Sequence, residues 1–234
     1  MPAFKSADPS VRWYPVVIVA AVLVVYANAF GNAFVWDDQY LIVENPAIKS
    51  WGRFWTLWTA DLFPHVVSHY YRPLQALTYL VDYQLWTLAP FGYHLTSTLL
   101  HAGVALLFYR FVAALLGAPR AALIAALLFA VHPIHTEAVT YISGRSDPLS
   151  ALFLLVALVG FVEGDRSRFT VWRVGSLAAF AAALLAREAA MALVPLVVPL
   201  TLIRHYVRRF DIAYLQGQTY LEPHPKELML RNHV

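Results

Sequence analysis

Cysteine is absent from this chain of 234 residues, and charged residues are scarce. Without cysteine there is no disulfide framework and no thiolate metal site, so the sequence carries no information on redox compartment. Only 13% of the residues are charged and 60% are hydrophobic, whereas a soluble domain carries about 25% charged residues. So little charge cannot cover a globular surface, which argues against a secreted enzyme, a nucleic-acid binder or a disordered regulator. The composition predicts an integral membrane protein.

Long apolar runs predict an all-α, polytopic fold with about six membrane-spanning helices. A span needs about 20 mostly apolar residues. The predicted spans are residues 14–30, 93–116, 121–134, 149–162, 171–186 and 189–203. The third and fourth are short, and a helix upstream of the fourth would lengthen it. We therefore predict a cytoplasmic amino terminus (1–13), a transmembrane domain (14–209) and a polar carboxy-terminal tail (210–234).

The positions of the arginines predict the orientation, because short cytoplasmic loops are enriched in Lys and Arg. Six crossings from a cytoplasmic amino terminus place one set of arginines on the cytoplasmic side: Arg110, Arg120, Arg166, Arg168, Arg173, Arg204, Arg208 and Arg209. Residues 31–91 then form one long non-cytoplasmic loop, rich in Trp and Tyr and containing interfacial helices. Residues 73–88 of this loop predict a helix with its leucines on one side. An alternative for the first span is a signal peptide cleaved near 27–29.

Ionisable residues collect at the predicted non-cytoplasmic ends of the spans. The candidates are Asp37, Asp38, Arg72, His94, His132, His135, Glu137, Arg145, Arg187 and Glu188. Ionisable groups at membrane depth are costly, and they pair or line a functional cavity. Three arginines among carboxylates and histidines predict a site for an anionic, membrane-embedded substrate. Structural alternatives stay open: a helix cap for the acidic pair, a snorkelling Arg72, and ion pairs at span ends for Arg145 with Asp147 and Arg187 with Glu188.

One stretch, residues 132–137, suggests a metal site. It contains His132, His135 and Glu137, but it lacks the H-E-x-x-H spacing, and Pro133 prevents a regular helix across the two histidines. We therefore assign no metal ligands and no certain cofactor, and a divalent metal ion remains an open alternative.

Six short motifs, taken together, carry a family resemblance. In chain order they are Phe34-Val35-Trp36-Asp37-Asp38, Glu44-Asn45-Pro46-Ala47-Ile48, Tyr71-Arg72-Pro73-Leu74, Gly92-Tyr93-His94-Leu95 with Leu99-Leu100-His101-Ala102, Leu127-Leu128-Phe129-Ala130-Val131-His132-Pro133-Ile134-His135-Thr136-Glu137-Ala138-Val139, and Gly144-Arg145-Ser146-Asp147. Over roughly residues 27–195 the chain resembles the amino-terminal membrane part of the transmembrane O-mannosyltransferase family that carries tetratricopeptide repeats, including its bacterial relatives.

The resemblance implies a polytopic glycosyltransferase of the GT-C class. Such an enzyme moves a mannose-like sugar from a polyprenyl- or dolichyl-phosphate donor to an acceptor hydroxyl, often of a protein Ser or Thr. The reaction takes place on the non-cytoplasmic face of the endoplasmic reticulum or bacterial inner membrane. An acidic residue at the position of Asp37 or Asp38 is then the catalytic carboxylate. Because adjacent carboxylates point in different directions, we expect them to divide two tasks, with Asp37 favoured as the base.

The remaining candidates take roles that suit this chemistry. A departing lipid phosphate develops negative charge, which guanidinium groups stabilise through bidentate contacts. This suggests Arg72, Arg145 and Arg187 as ligands of the donor phosphate. The sugar, acceptor or orienting residues are His94, His132, His135, Glu137 and Glu188.

Two departures from the family pattern bear on activity. The chain stops at residue 234 without a 34-residue period, as a truncated copy, a fragment or a divergent short form would. Ser97 stands where relatives often have Asn. The alternatives are a non-catalytic membrane subunit or pseudoenzyme, and a transporter or channel whose arginines bind an anion. A transporter usually has inverted repeats, and none is evident.

The absence of native cysteine makes the predicted topology directly testable. In the Ser50→Cys and Ser68→Cys variants, an impermeant thiol reagent added from outside should label the protein. In Ser167→Cys it should not, because that loop is predicted to be cytoplasmic. Labelling of Ser167→Cys from outside would overturn the six-crossing orientation.

Overall fold

The fold is known from a computed structural model that describes residues 9–63, 68–164, 170–192 and 195. Within these ranges every regular element is a helix, so the predicted all-α class is confirmed. The residues up to Met191 belong to one compact unit, and 192–234 to another. The polar tail, the predicted domain boundary at 209 and most of the predicted sixth span lie outside the described residues.

Seven α-helices and several shorter helical turns make up the described part of the chain. The α-helices are α1 (Tyr14–Val25), α2 (Pro73–Trp86), α3 (Pro90–Leu116), α4 (Pro119–Ala130), α5 (Thr136–Thr140), α6 (Ser146–Gly164) and α7 (Thr170–Ala186). The turns are Pro9–Trp13, Ala27–Gly31, Gln39–Val43, Pro46–Lys49, Trp51–Trp58, Pro133–His135, Ile142–Arg145 and Glu188–Ala192. Helices α2, α3 and α4 each begin with proline, which suits the first helical position because its missing N–H has no helical partner there.

Two helical stretches among the described residues are long and apolar enough to cross a membrane: Pro90–Leu116 and Ile142–Val162. The pair Pro119–Ala130 and Pro133–Thr140 forms a third only if it is counted as one span with a 48° bend. This confirms a protein with apolar spans, and it confirms that the predicted fourth span extends upstream. Six spans were predicted, and among the described residues two, or three with the bent pair, meet this criterion of length and composition.

Length and proline explain the difference in count. The helical stretches Pro9–Val25 and Val171–Ala186 have at most 17 residues, so each is about 25 Å long, whereas the hydrocarbon core is about 30 Å thick. In the predicted third span, Pro133 disfavours helical backbone at the residue before it. His132 is accordingly extended, with φ −68° and ψ 129°, and α4 ends before it, at Ala130.

The segment between α1 and α3, which we call the outer segment, supplies most of one hydrophobic core and shares it with α3 and the turn Ile142–Arg145. This core consists of Leu41, Ile42, Ile48, Leu57, Leu62, Ala76, Tyr79, Leu80, Tyr93 and Ile142. A second core joins α1, α3 and α4, and its residues are Ile18, Val22, Tyr26, Ala102, Ala105, Ala126, Ala130 and Val139. The outer segment is therefore a folded layer on the helices, and it still exposes the aromatic side chains Trp36, Trp51, Trp55, Tyr70 and Tyr71.

The predicted helix over residues 73–88 is present as α2, and its buried side chains are both apolar and polar. Leu80 is buried and Leu77 packs against the core, whereas Leu85 is exposed. The polar residues Gln75, Tyr79 and Asp82 are buried as well, and their four- and three-residue spacing places them on one helical face.

Helices α6 and α7 pack closely at a glycine. A Cβ added at Gly160 would collide with the Ser176 side chain, whereas a Cβ at Gly175 would meet nothing within 4 Å. Small residues at such contacts let membrane helices approach closely.

This contact gives a stability test with a matched control. Gly160→Val should lower the free energy of unfolding by about 1–3 kcal/mol, because overpacking forces neighbouring groups apart. Gly175→Val on the facing helix should leave stability nearly unchanged. Thermal unfolding in detergent measures both, and equal melting temperatures would show that the Gly160 contact is loose.

Candidate active site

One short segment, residues 141–147, contacts each part of the predicted site that the next paragraphs describe. It contains the turn Ile142–Arg145 and the first residues of α6. Gly144 lets the turn lie directly on α5, since a Cβ there would be 3.1 Å from the carbonyl oxygen of Glu137 and 3.3 Å from Cα of Ala138. We call residues 141–147 the linking segment.

The carboxylate of Asp38 is fully buried, and it fixes the loop that follows α1 to the linking segment. It accepts hydrogen bonds from the backbone N–H of Val35 at 3.1 Å, the backbone N–H of Ser143 at 2.9 Å and the Ser143 hydroxyl at 2.5 Å. Burial raises the pKa of Asp38, and these hydrogen bonds oppose that rise because they favour the charged form. Asp38 therefore has an anchoring position in the fold.

Asp37, in contrast, is exposed. Its backbone N–H donates to the Tyr141 hydroxyl at 3.3 Å. The Trp36 ring packs edge-on against Tyr141 with 6.0 Å between centroids, and Trp36 has the positive φ of 49° that turns the chain here. The two adjacent carboxylates thus occupy different environments: one is held inside the fold and one is open to solvent.

The guanidinium of Arg145 is fully buried, and most of its donors are engaged. It donates to Asp82 Oδ2 at 2.5 Å, the Tyr93 carbonyl at 2.7 Å, Ser97 Oγ at 3.1 Å and Thr78 Oγ1 at 3.2 Å. These partners lie on α2 and α3, so Arg145 joins both helices to the linking segment. Arg145 therefore fixes the position of the linking segment relative to α2 and α3.

Helix α2 also binds the backbone of the turn. The Gln75 amide donates to the Ser143 carbonyl at 2.9 Å, and the Tyr79 hydroxyl donates to the Ile142 carbonyl at 3.0 Å. Burial raises the pKa of Tyr79, so it stays a hydrogen-bond donor. Analysis of the sequence missed these residues, although the polar positions Gln75 and Asp82, seven apart in an apolar helix, were a usable signal.

Arg72 and Arg187 converge on the hydroxyl of Ser146. Arg72 grips Glu188 with two hydrogen bonds, from Nε at 3.0 Å and from Nη2 at 2.5 Å, and its Nη1 lies 3.4 Å from Ser146 Oγ. Arg187 donates to the same Oγ at 3.3 Å and forms an ion pair with Asp147. The hydrogen bond from Arg72 lowers the pKa of Glu188, which therefore stays ionised at neutral pH. We call these five residues the arginine cluster.

A small cavity of about 60 Å³ lies next to Arg72 in the segment between α1 and α3. It is bounded by the turn Pro46–Lys49, the helix Trp51–Trp58 and the start of α2. Its lining is mostly apolar, with Asn45, Thr56 and Asp61 as the other polar members. Arg72 thus borders both the cavity and the arginine cluster.

The histidines do not join the arginine cluster. His132 is exposed, and its Nδ1 accepts the backbone N–H of Ile134 at 3.2 Å. The His135 ring lies 4.4 Å from the Phe129 ring, centroid to centroid, and Glu137 is exposed. His94 is buried on α3. Within the described ranges no group of three or more His, Cys, Asp or Glu side chains is placed to hold a metal ion.

Comparison with known proteins identifies relatives over most of this chain. Protein O-mannosyl-transferase TMTC4 of Homo sapiens is 34% identical over 202 residues, which is 75% of this chain and 27% of the relative. Protein O-mannosyl-transferase TMTC3 of Mus musculus is 40% identical over 151 residues, 62% of this chain and 16% of the relative. Protein O-mannosyl-transferase tmtc2 of Xenopus laevis is 40% identical over 151 residues, 62% of this chain and 18% of the relative.

This chain spans about a quarter or less of the length of these curated relatives. A family model described as a protein of unknown function (DUF1722) matches residues 185–225, most of which lie outside the described residues. No solved structure matches the chain. The relatives confirm the resemblance carried by the short motifs: over the stretch that it shares with them, the chain is similar to protein O-mannosyl-transferases of the TMTC family.

Proposed function

We propose that this chain forms the membrane part of a GT-C glycosyltransferase that moves a mannose-like sugar from a polyprenyl- or dolichyl-phosphate to an acceptor hydroxyl, such as that of a protein Ser or Thr. One observation carries the proposal: the linking segment holds the acidic pair at one end and the arginine cluster at the other. A base and an anion-binding group are the two elements this reaction needs, and here seven residues connect them. The names of the relatives support the same reaction class.

Asp37 takes the role of the base. An acceptor hydroxyl is a weak nucleophile, and a carboxylate within hydrogen-bond reach accepts its proton as the oxygen attacks the anomeric carbon. The bond between that carbon and the donor phosphate breaks, and the lipid phosphate leaves with the electron pair. Asp37 suits this role because its side chain is open to solvent, while Asp38 anchors the same loop through Ser143.

Arg72 and Arg187 take the role of phosphate ligands. Fixed guanidinium groups stabilise the charge that develops on a departing phosphate, and their planar shape suits two of its oxygens. Arg145 is buried with its partners on α2 and α3, so we assign it a positioning role. The exposed side chains of His132 and Glu137 are proposed to meet sugar or acceptor hydroxyls, and the more buried His94 and His135 to orient the helices around them.

The six-crossing topology remains part of this proposal, with the site on the non-cytoplasmic face of the endoplasmic reticulum or bacterial inner membrane. The two shorter apolar helices, Pro9–Val25 and Val171–Ala186, would cross where the bilayer thins or where tightly packed neighbours shield their ends. Exposed apolar side chains such as Val24, Leu128 and Leu177 would then face lipid.

A non-catalytic subunit is the alternative, and one observation favours it: Arg72 and Arg187 are both paired with carboxylates of the chain itself. In this case the acidic pair has only a structural function.

The acidic pair separates the two functions. Asp37→Asn should lower the rate of sugar transfer by about 10²–10⁴-fold, because an amide cannot accept the proton, and it should leave the melting temperature nearly unchanged. Asp38→Asn should lower the melting temperature, because its amide group cannot accept all three hydrogen bonds. The measurements are transfer from polyprenyl-phosphate sugars to a hydroxyl acceptor, and thermal unfolding. Glu44→Gln, an exposed position in the same loop, is the control, and wild-type transfer rates in both Asp variants would contradict the catalytic assignment.

The buried ion pair gives a prediction on stability. Arg145→Met leaves the Asp82 carboxylate buried without its partner, which should destabilise the fold by about 3–5 kcal/mol. The double variant Arg145→Met with Asp82→Leu should be closer to wild type than the single variant, because it removes both charges. Arg53→Met, an exposed arginine, is the control in thermal unfolding, and additive losses in the double variant would show that the two side chains do not stabilise each other.

A further inference from the structure

Ser146 has an unusual set of hydrogen-bond partners. Its hydroxyl oxygen receives donors from both Arg72, at 3.4 Å, and Arg187, at 3.3 Å, and the residue is almost fully buried. A serine hydroxyl has two lone pairs and one hydrogen. The two guanidinium groups use the lone pairs, so the hydrogen of Ser146 is left to donate. Among the described residues no hydrogen bond uses it.

The same oxygen also brings two positive charges close together. Each positive charge is balanced by an ion pair: Arg72 pairs with Glu188, and Arg187 pairs with Asp147. Repulsion between the arginines makes a bound anion favourable at this place, and the first turn of α6, where Ser146 lies, adds to that preference.

The two carboxylates lie on the solvent side of the arginines. The side chain of Glu188 is 57% exposed and that of Arg72 is 12% exposed; for Asp147 and Arg187 the fractions are 47% and 31%. The carboxylate groups are therefore free to rotate into water, whereas the guanidinium groups are held beside Ser146. Exposed ion pairs contribute little free energy, so replacing one carboxylate by another anion has a small cost.

We propose that Glu188 and Asp147 are exchangeable occupants of a phosphate site formed by Arg72, Arg187 and the Ser146 hydroxyl. The inference rests on the proposed function and extends it with a third phosphate ligand and two competing acids. When a lipid phosphate binds, its oxygens take the two donors of Arg72 that Glu188 now occupies and accept the free hydrogen of Ser146. The carboxylates move into solvent. In the absence of donor they keep the arginines neutralised and in place.

A matched set of variants tests the exchange. The ligand is a short-chain polyprenyl monophosphate in detergent micelles, and the reference is the corresponding polyprenol, which lacks the phosphate. Glu188→Gln should tighten phosphate binding by about fivefold, because the amide competes less well for Arg72. Asp147→Asn should act in the same direction. Ser146→Ala should weaken binding by several-fold, about the effect of one hydrogen bond.

The controls separate the exchange from a general effect of charge. Glu44→Gln removes the same charge from an exposed carboxylate whose hydrogen-bond partner is Gln39, outside the arginine cluster, and should leave binding unchanged. Arg72→Lys should lose most of the binding, since an ammonium group cannot replace the two-pronged contact. Thermal unfolding of each variant without ligand identifies any that fold poorly. If Glu188→Gln is one of them, the binding measured with Asp147→Asn tests the same proposal.

The outcomes distinguish this inference from the proposed function. If Arg72→Lys loses binding but Glu188→Gln and Asp147→Asn bind no more tightly than wild type, the exchange is wrong while the phosphate site stands. If the wild type binds the polyprenyl phosphate no better than the polyprenol, both ideas fail. A last experiment adds inorganic phosphate as a competitor of the polyprenyl monophosphate. Displacement at micromolar phosphate would show a site for free phosphate and contradict a lipid-phosphate ligand. Displacement only at much higher concentrations supports the lipid ligand.

Discussion

The buried guanidinium of Arg145 is the constraint on which the arrangement of α2, α3 and the linking segment depends. A charge taken out of water costs several kcal/mol unless paired and hydrogen-bonded. The fold meets this cost with Asp82 and Thr78 on α2 and with the Tyr93 carbonyl and Ser97 on α3. Moving either helix away would leave a buried charge or a buried donor without its partner. One side chain therefore fixes the relative positions of two helices and a turn.

The turn held by Arg145 distributes its neighbours to different partners. Ser143 faces inward to Asp38, while Ser146, the next residue after Arg145, receives Arg72 and Arg187. Because Ser143 and Ser146 are only three residues apart, small changes in the turn would move the acidic loop and the arginine cluster together. The proposed transfer of a sugar to a hydroxyl would need such a fixed scaffold under both groups.

The outer segment has both a buried apolar side and exposed aromatic side chains. It buries Leu41, Ile42 and Ile48 in a core shared with Tyr93 of α3, and it leaves Trp36 and Trp55 exposed. Aromatic side chains of this kind are enriched where a protein meets the membrane–water interface. A folded layer with an aromatic surface, packed on apolar helices, is compatible with the proposed reaction of a lipid-linked donor.

Composition and pattern alone determined the broad class of this protein. The scarcity of charge and the long apolar runs predicted an all-helical chain with membrane spans, since hydrophobic length is a local property of sequence. The ordered motifs predicted the family, and the relatives confirm it. Helices that are too short, and a break at Pro133, reduced the number of spans that meet the length criterion, because helix ends depend on the backbone next to each proline and on packing.

The division of labour among the polar residues was decided only by the tertiary structure. From the sequence, Arg72, Arg145 and Arg187 were all predicted to bind phosphate. In the structure Arg145 is buried and pairs with Asp82, whereas Arg72 and Arg187 both donate to Ser146. Asp37 and Asp38 are neighbours with the same side chain, yet Asp38 is buried against Ser143 and Asp37 is exposed. Such differences depend on contacts between residues far apart in the chain, from 40 to 116 positions in the arginine cluster, and no local pattern encodes them. Local sequence sets which groups are present, and long-range packing sets which of them stay open to a substrate.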